Sequence, residues 1–472
     1  MLFNSFGFLI FFPLVCLLYF LLPDRKTKNA LLLVASYYFY MSWKPIYALL
    51  IISSTLITFL CGLLVQKNND NAKRKKFFLV CSLIINFGIL FVFKYYNFIN
   101  ESVFDLMSSC GLNWRIRNLD VLLPVGISFY TFQAVGYSID VYRGTLKAEK
   151  NFFTYALFVS FFPQLVAGPI ERAKNLLPQF YKANAFSYKN ATEGIRLMVW
   201  GYFMKLCIAD RISEYVNAIY NNVPNHNGNS LLLATFFFTF QIYCDFAGYS
   251  NIAIGAAKFM GYDLMENFHR PYLSLNIKDF WKRWHISLSS WFMDYLYIPL
   301  GGNRVSYPRH LLNLLITFLV SGVWHGANWT FVLWGLTHGI FIIIHNLLKK
   351  YIGQPNPKTL LAKAMSILVC FVLVSFAWIF FRANSASDAF EIINKIFTQR
   401  GELFIGSKTV LILSFVSIFI LFVKSIKDET EIKIGFLHSQ SNLVSYLSTV
   451  LLISYILLFG ALEGSQFIYF QF

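Results

Sequence analysis

Long apolar runs separated by short basic loops dominate the chain. The runs cover approximately residues 3–22, 29–66, 77–100, 121–140, 152–167, 194–220, 231–257, 311–348, 361–381, 408–424 and 443–462. Roughly 20 apolar residues cross a hydrocarbon core ~30 Å thick, so the pattern predicts a polytopic helical membrane protein. A membrane β-barrel would alternate apolar and polar residues in strands of about ten, and no such alternation occurs. Two runs are too long for one crossing. In 29–66 the stretch "SWKP" at 42–45 offers a break, because Pro45 disfavours helix at the residue before it, so a hairpin is expected. The 311–348 run breaks around Gly326–Asn328.

The loops orient these elements by the positive-inside rule. "DRKTK" (24–28) and "KNNDNAKRKK" (67–76) read as cytoplasmic, which puts the N-terminus outside. The loops 143–150 and 172–189 are both basic, so the run between them, 152–167, should not cross. A re-entrant segment is expected there, allowed where protein or water covers the backbone. The loop "NNVPNHNGNS" (221–230) has no Lys or Arg and reads as external, whereas 258–310 and 349–358 read as cytoplasmic. Continuing the count places 382–407 outside, 425–440 inside and the C-terminus outside.

Composition sharpens this picture. Of 472 residues, 57% are hydrophobic and 13% charged, against about 25% charged in ordinary soluble domains. The net charge of +17 would suggest nucleic acid in a soluble chain. Here the basic residues cluster in short loops, where topology accounts for them, and no nucleic-acid partner is expected. The N-terminal run lacks a basic segment before it and a small-residue cleavage site after it, so it reads as a retained helix. Six of the seven cysteines lie inside apolar runs, Cys110 lies in a loop, and no CxxC spacing occurs. Neither a metal site nor a disulfide framework is indicated. No repeat or soluble segment interrupts the chain, which reads as a single membrane domain over 1–472.

Candidate chemistry lies in two stretches. "NFHRPYLSLNIKDFWKRWHISLSSWFMDYLYIPLGGNR" (267–304) is too polar to span a bilayer and too aromatic for a plain loop. Its "DFWKRWHISLSSWF" core suits an interfacial helix, with a chemically inert surface helix as the bland alternative. "IPLGGNR" reads as a turn, Gly301–Gly302 permitting unusual backbone angles. "SGVWHGANWTFVLWGLTHG" (321–339) sets His325 and His338 in a strongly apolar setting. An ionisable group at membrane depth is costly and usually lines a cavity. His325, at the break of its run, can accept a proton near neutral pH, or it can be a hydrogen-bonded packing residue. His338 suits a packing role and His345 an interfacial one. No GxSxG, P-loop or GxGxxG occurs, so soluble-hydrolase and nucleotide-driven chemistry has no motif to rest on.

Six blocks resemble the membrane-bound O-acyltransferase family, in the bacterial branch that acetylates alginate or transfers D-alanine to teichoic acid. They are "LPVGISFYTFQAVGYSIDVYRG" (123–144), "FFPQLVAGPIER" (161–172), "CDFAGYSNIAIGAAKFMG" (244–261), 268–304, 321–339 and "WIFFRA" (378–383). They run in family order between about 120 and 383, and the N-terminal "LFNSFGFLIFFP" also fits. Gln164 and Asn251 stand where many relatives are expected to carry His and Asp. The resemblance implies that His325, in the WHG block, is catalytic and that His285, in the RWHIS block, is the second signature residue. Trp324 and Asn328 are candidates for positioning groups. Acyl transfer from a thioester to a hydroxyl needs a base for the hydroxyl proton and a donor for the developing oxyanion.

The terminal "FIYFQF" (467–472) reads either as an interfacial aromatic belt or, by resemblance to the FxYxxF motif of the small peptide in D-alanylation systems, as an acyl relay through Tyr469. The expected architecture is an all-α integral membrane protein, a polytopic bundle of about ten to twelve transmembrane helices, with re-entrant and interfacial helices around a central funnel. The expected function is transfer of an acyl group, acetyl foremost, from a cytoplasmic thioester to an exported or cell-envelope polysaccharide. The donor would be acyl-CoA or an acyl-carrier protein, with no permanently bound cofactor and no metal. Expected partners are the lipid bilayer of a bacterial plasma membrane, a polysaccharide acceptor and an external SGNH-type acyltransferase or similar accessory protein. D-alanyl transfer to teichoic acid is the alternative within the class. A transporter or channel is the alternative outside it, and would show inverted repeats, which the sequence lacks.

Overall fold

The protein is all-helical, and its described residues contain no strand. The computed structural model describes residues 1–472 except 113–114, 167, 354–356, 431–435, 438, 440, 463–466 and 469–472. Two compact units emerge, one formed by residues 1–192 and 256–265, the other by 193–255 and 266–472.

In the first unit, α1 (Phe6–Leu21) and α2 (Arg25–Met41) begin at Ser5 and Asp24, whose side chains accept backbone N–H groups of the first turn. The chain breaks after Met41, and Pro45 starts the segment that continues into α3 (Ala48–Lys67). The hairpin expected from "SWKP" is therefore present. Helix α4 (Ala72–Leu90) continues through a π-helical stretch into α5 (Tyr96–Ser109), and α6 (Ile127–Arg143) follows. In lipid, where the hydrophobic effect does not draw helices together, interhelical hydrogen bonds add to packing: Ser54 Oγ of α3 donates to Asn86 Oδ1 of α4 at 2.5 Å, and Thr58 Oγ1 of α3 accepts Tyr155 OH, from the 152–167 run, at 2.8 Å.

The run 152–167 divides into α7 (Phe152–Ser160) and α8 (Phe162–Leu165). Neither is long enough to cross a bilayer at 1.5 Å per residue. The break is covered by protein. Gln133 Nε2 and Gln164 Nε2 both donate to Phe158 O, at 2.7 and 2.8 Å, and Ser36 Oγ accepts Phe162 N–H at 3.0 Å. The short α9 (Ala173–Leu176) follows.

The second unit contains most of α10 (Tyr188–Tyr202), a π-helical stretch Phe203–Ala209 and α11 (Asp210–Tyr220). It also holds most of α12 (Gly228–Phe259), the most enclosed of the long apolar helices, with 83% of its apolar window buried. Small residues bring α10 and α12 together. A Cβ on Gly201 would lie 2.6 Å from Gly248 O, and one on Gly255 would lie 2.6 Å from Gly194 O. Then come α13 (Ile277–Arg283), α14 (Ile286–Phe292), α15 (Tyr307–His325), α16 (Trp329–Tyr351), α17 (Leu360–Arg382), α18 (Ala386–Thr398), α19 (Lys408–Thr430) and α20 (Asn442–Phe459). The expected break at 326–328 separates α15 from α16, and Gly301 and Gly302 have φ of 106° and 56°.

Seven helical segments among the described residues are long and apolar enough to cross a membrane: Pro45–Lys67, Ala72–Ser109, Gly228–Phe259, Trp329–Tyr351, Leu360–Arg382, Lys408–Thr430 and Asn442–Phe459. The protein is a polytopic membrane protein. Other expected spans fall on shorter or more polar helices, such as Phe6–Leu21 and the 194–220 run, whose middle carries the buried charges Lys205 and Asp210.

One expectation is corrected. "DFWKRWHISLSSWF" is not a continuous interfacial helix. It breaks between α13 and α14, and Phe280, Trp284, Leu288, Trp291 and Phe292 are buried. Hydrophobic patterning gave its apolar residues, but their cover is protein packing.

Candidate active site

The break between α13 and α14 is made by one residue. His285 has φ 44° and ψ 54°, and only one other described non-glycine residue, Arg270, has a positive φ. A side chain in this left-handed region costs on the order of 1–3 kcal/mol and persists only where surroundings impose it. Asn267 imposes it here. Its carbonyl accepts Ile286 N–H at 2.9 Å, and its Oδ1 accepts Ser287 Oγ–H at 2.9 Å and Ser287 N–H at 3.4 Å. Two residues on, His269 N–H donates to Arg283 O at 2.9 Å.

The same oxygen fixes the histidine. His285 Nδ1 lies 3.1 Å from Asn267 Oδ1. A backbone N–H can only donate, so the amide atom facing Ser287 N–H is the oxygen, and the amide Nδ2 points to Ser250 Oγ at 3.2 Å. Facing an acceptor, His285 Nδ1 bears the proton, and Nε2 carries the lone pair. His285 is fully buried, and loss of hydration pushes its imidazole down to about 3, so it is neutral at ordinary pH.

His325 is the last residue of α15 and is 3% exposed. Its ring centroid is 6.4 Å from that of His285. Trp324 joins the two, 5.0 Å from His325 and 6.0 Å from His285, both edge-on. Trp334 and Phe381 complete the cover of His325, at 4.8 and 5.3 Å. Phe246 of α12 meets His285 edge-on at 4.6 Å. Two imidazoles thus share a chamber walled by aromatic rings. The close approach of α15 and α16 sets His325: a Cβ on Gly322 would lie 2.3 Å from Phe331 O, and one on Gly335 2.4 Å from Phe318 O.

The structure thus brings His285, His325 and Trp324 together. Asn328 has another task, capping α16 by accepting Thr330 N–H at 2.9 Å and donating to Asn384 O at 3.4 Å. His338 packs, accepting Trp281 Nε1–H at 3.3 Å. Tyr469 lies outside the described residues, but Phe467 and Ile468 before it are buried, and Phe467 packs on Tyr249 at 4.6 Å and Phe246 at 5.6 Å. Gln164 is held in the α7–α8 break, and Asn251 Nδ2 donates to Met204 Sδ at 3.5 Å. Sequence reasoning missed Asn267 and Phe246, both inside or beside conspicuous blocks. Nothing along the sequence marks Asn267, whose partner lies 18 residues away. Among the described residues, no group of three or more His, Cys, Asp or Glu side chains could hold a metal ion.

Fold and site together define a polytopic helical membrane protein with a buried histidine pair enclosed by aromatic rings. The chain belongs to the membrane-bound O-acyltransferase family, whose profile matches residues 148–384, and is an O-acyltransferase of the membrane. It is 37% identical over 399 residues to the probable alginate O-acetylase AlgI of Pseudomonas aeruginosa, covering 84% of this chain and 75% of that one. It is 33% identical to the protein of that name from Azotobacter vinelandii, over the full length of both. It is 34% identical to the peptidoglycan O-acetyltransferase of Helicobacter pylori, over 83% of this chain and 79% of that one.

Proposed function

We propose that this enzyme O-acetylates an exported or cell-envelope polysaccharide, taking the acetyl group from a cytoplasmic thioester of coenzyme A or a carrier protein. Support for acetyl over D-alanyl comes from similarity, over 83% or more of this chain, to proteins named as a probable alginate O-acetylase and a peptidoglycan O-acetyltransferase. In this reading His325 takes the proton of the attacking hydroxyl. A neutral His285, presenting its Nε2 lone pair nearby, stabilises the positive charge that His325 acquires, whereas a protonated neighbour would oppose it. The single observation that carries the reading is the 6.4 Å pairing of these two imidazoles. The N- and C-termini face outward from a bacterial plasma membrane, and an external SGNH-type acyltransferase receives the group.

The polymer is too bulky for a buried site, which calls for a relay. Tyr469 is the proposed carrier, since a phenyl ester is a more reactive acyl donor than an alkyl ester. What supports it is the burial of Phe467 and Ile468 immediately before it, with one ring, Phe246, between Phe467 and His285. His325→Ala should abolish polymer acetylation, and Tyr469→Phe should do the same while keeping expression. Mass analysis of the polymer decides: normal acetylation in His325→Ala overturns the catalytic assignment, and normal acetylation in Tyr469→Phe overturns the relay.

A further inference from the structure

Below the aromatic wall of the site lies a charged cluster that proton transfer at the histidines does not use. Lys205, in the π-helical stretch between α10 and α11, is fully buried and lies 2.7 Å from Asp210 and 2.6 Å from Asp245. Both carboxylates are themselves buried. One ammonium thus faces two carboxylates in a medium that makes buried charge costly unless it is paired. The Tyr249 ring covers the ammonium at 5.2 Å.

Asp245 divides its two oxygens between different parts of the chain. Oδ1 takes Lys205, and Oδ2 accepts the backbone N–H of Ile468 at 2.6 Å. A charge-assisted bond to a buried N–H is among the stronger single hydrogen bonds. It also brings the positive end of a peptide dipole to a carboxylate. Two further bonds, one from a side chain and one between main chains, tie the end of α20 and Ala461 to α11 and the π-helical stretch. Arg211 donates to Phe459 O, and Ala461 N–H donates to Leu206 O at 3.0 Å. Beside the pinned residue, Phe467 packs on Tyr249 and on Phe246, and Phe246 packs on His285.

We infer that Asp245 is a positioning residue for acyl transfer: it clasps the C-terminal segment at Ile468 and so holds that segment against the aromatic wall of the histidine pair. The inference rests on the reading that this segment carries the acyl group onward. Asp210 touches the same lysine but its bond to Lys205 holds no part of the segment, so the two carboxylates make different predictions. In Asp245→Asn the side chain keeps one acceptor, which the ammonium claims. Its NH2 then faces Ile468 N–H, donor against donor, and the segment is released. Lys205 and Asp210 remain as a neutral pair, so the helices keep their buried counter-ion. Asp210→Asn removes the same unit of charge from the same lysine and leaves the clasp on Ile468.

The test is hydrogen exchange of the full chain in lipid nanodiscs, with polymer acylation measured in parallel. The C-terminal peptide of Asp245→Asn should exchange at least about tenfold faster than wild type. Peptides from α12 and α16 should keep their protection, and kcat for acyl transfer should fall with little change in donor KM. The C-terminal peptide of Asp210→Asn should stay protected. An unchanged C-terminal peptide in Asp245→Asn overturns the inference, as does equal release in both variants, which would mark the cluster as a general fold element. Release with wild-type acylation also overturns it. His325→Ala serves as the control for the chemistry: it should lose acylation with the C-terminal peptide still protected, so failure of the catalytic reading is seen separately from failure of the clasp.

Discussion

Replacing Asn267 tests whether the second histidine acts through its tautomer. Asn267→Ala removes the Oδ1 that faces His285 Nδ1–H, Ser287 N–H and Ser287 Oγ–H. The hydroxyl can rotate to another acceptor, but the ring and backbone donors cannot. Two buried donors deprived of their acceptor cost roughly 1–3 kcal/mol each, so about 2–6 kcal/mol of local stability is lost. The left-handed backbone at His285 loses one of its restraints at the same time. For activity, misplacement of a reacting group by ~1 Å costs about 10²-fold. Loss of tautomer control in another histidine system costs about 10⁴-fold. Acyl transfer by Asn267→Ala should therefore fall by between about 10² and 10⁴, read as kcat per folded enzyme. Asn267→Asp keeps the acceptor and should recover much of the rate near neutral pH, while adding a carboxylate beside the ring. An opposite charge at this distance raises a histidine pKa by roughly 1–3 units. Burial holds His285 at about 3 in the wild type. Its neutral form is the working one, so activity is lost as pH falls through its pKa. The acidic limb of the Asn267→Asp profile should consequently carry the ionisation of His285 in addition to that of the base His325. The assay is polymer acylation across pH in reconstituted membranes, normalised to folded protein. Near-normal activity in Asn267→Ala would refute the reasoning.

Two further outcomes follow from packing and topology. Gly322→Ala places a methyl group 2.3 Å from Phe331 O, an overpacking expected to cost about 1–3 kcal/mol or more; since Gly322 lies one turn before His325, thermal stability and activity should both drop, and a wild-type melting temperature would contradict the close α15–α16 approach. In a Cys110→Ser background, which removes the exposed native thiol, His226→Cys should label from outside intact cells and Ala72→Cys should not; the reverse pattern overturns the orientation derived from the basic loops.

Local pattern was enough for the class of the protein and for most of its breaks. Lipid and protein interior both select apolar side chains, so run length revealed the membrane class, and Pro45 and Gly326–Asn328 marked interruptions that local backbone chemistry enforces. His325 stood out because an imidazole in an apolar run needs a reason. That same dependence on hydrophobicity misread 279–292, since a residue covered by lipid headgroups and one covered by Trp378 look alike in sequence. Trp284, read as interfacial, packs on Trp378 at 4.9 Å. Tertiary structure alone decided which polar groups meet. Asn267 reaches His285 across 18 residues, and Asp245 reaches Ile468 across 223. A single hydrogen bond over such a separation leaves no periodicity, because it depends on where two backbones pass and not on what surrounds either along the chain. The sequence therefore determined that this is a membrane protein of its family with a histidine at a break. The fold decided that the neighbouring histidine is held as one neutral tautomer, and that Phe467 and His285 pack on the same ring, Phe246.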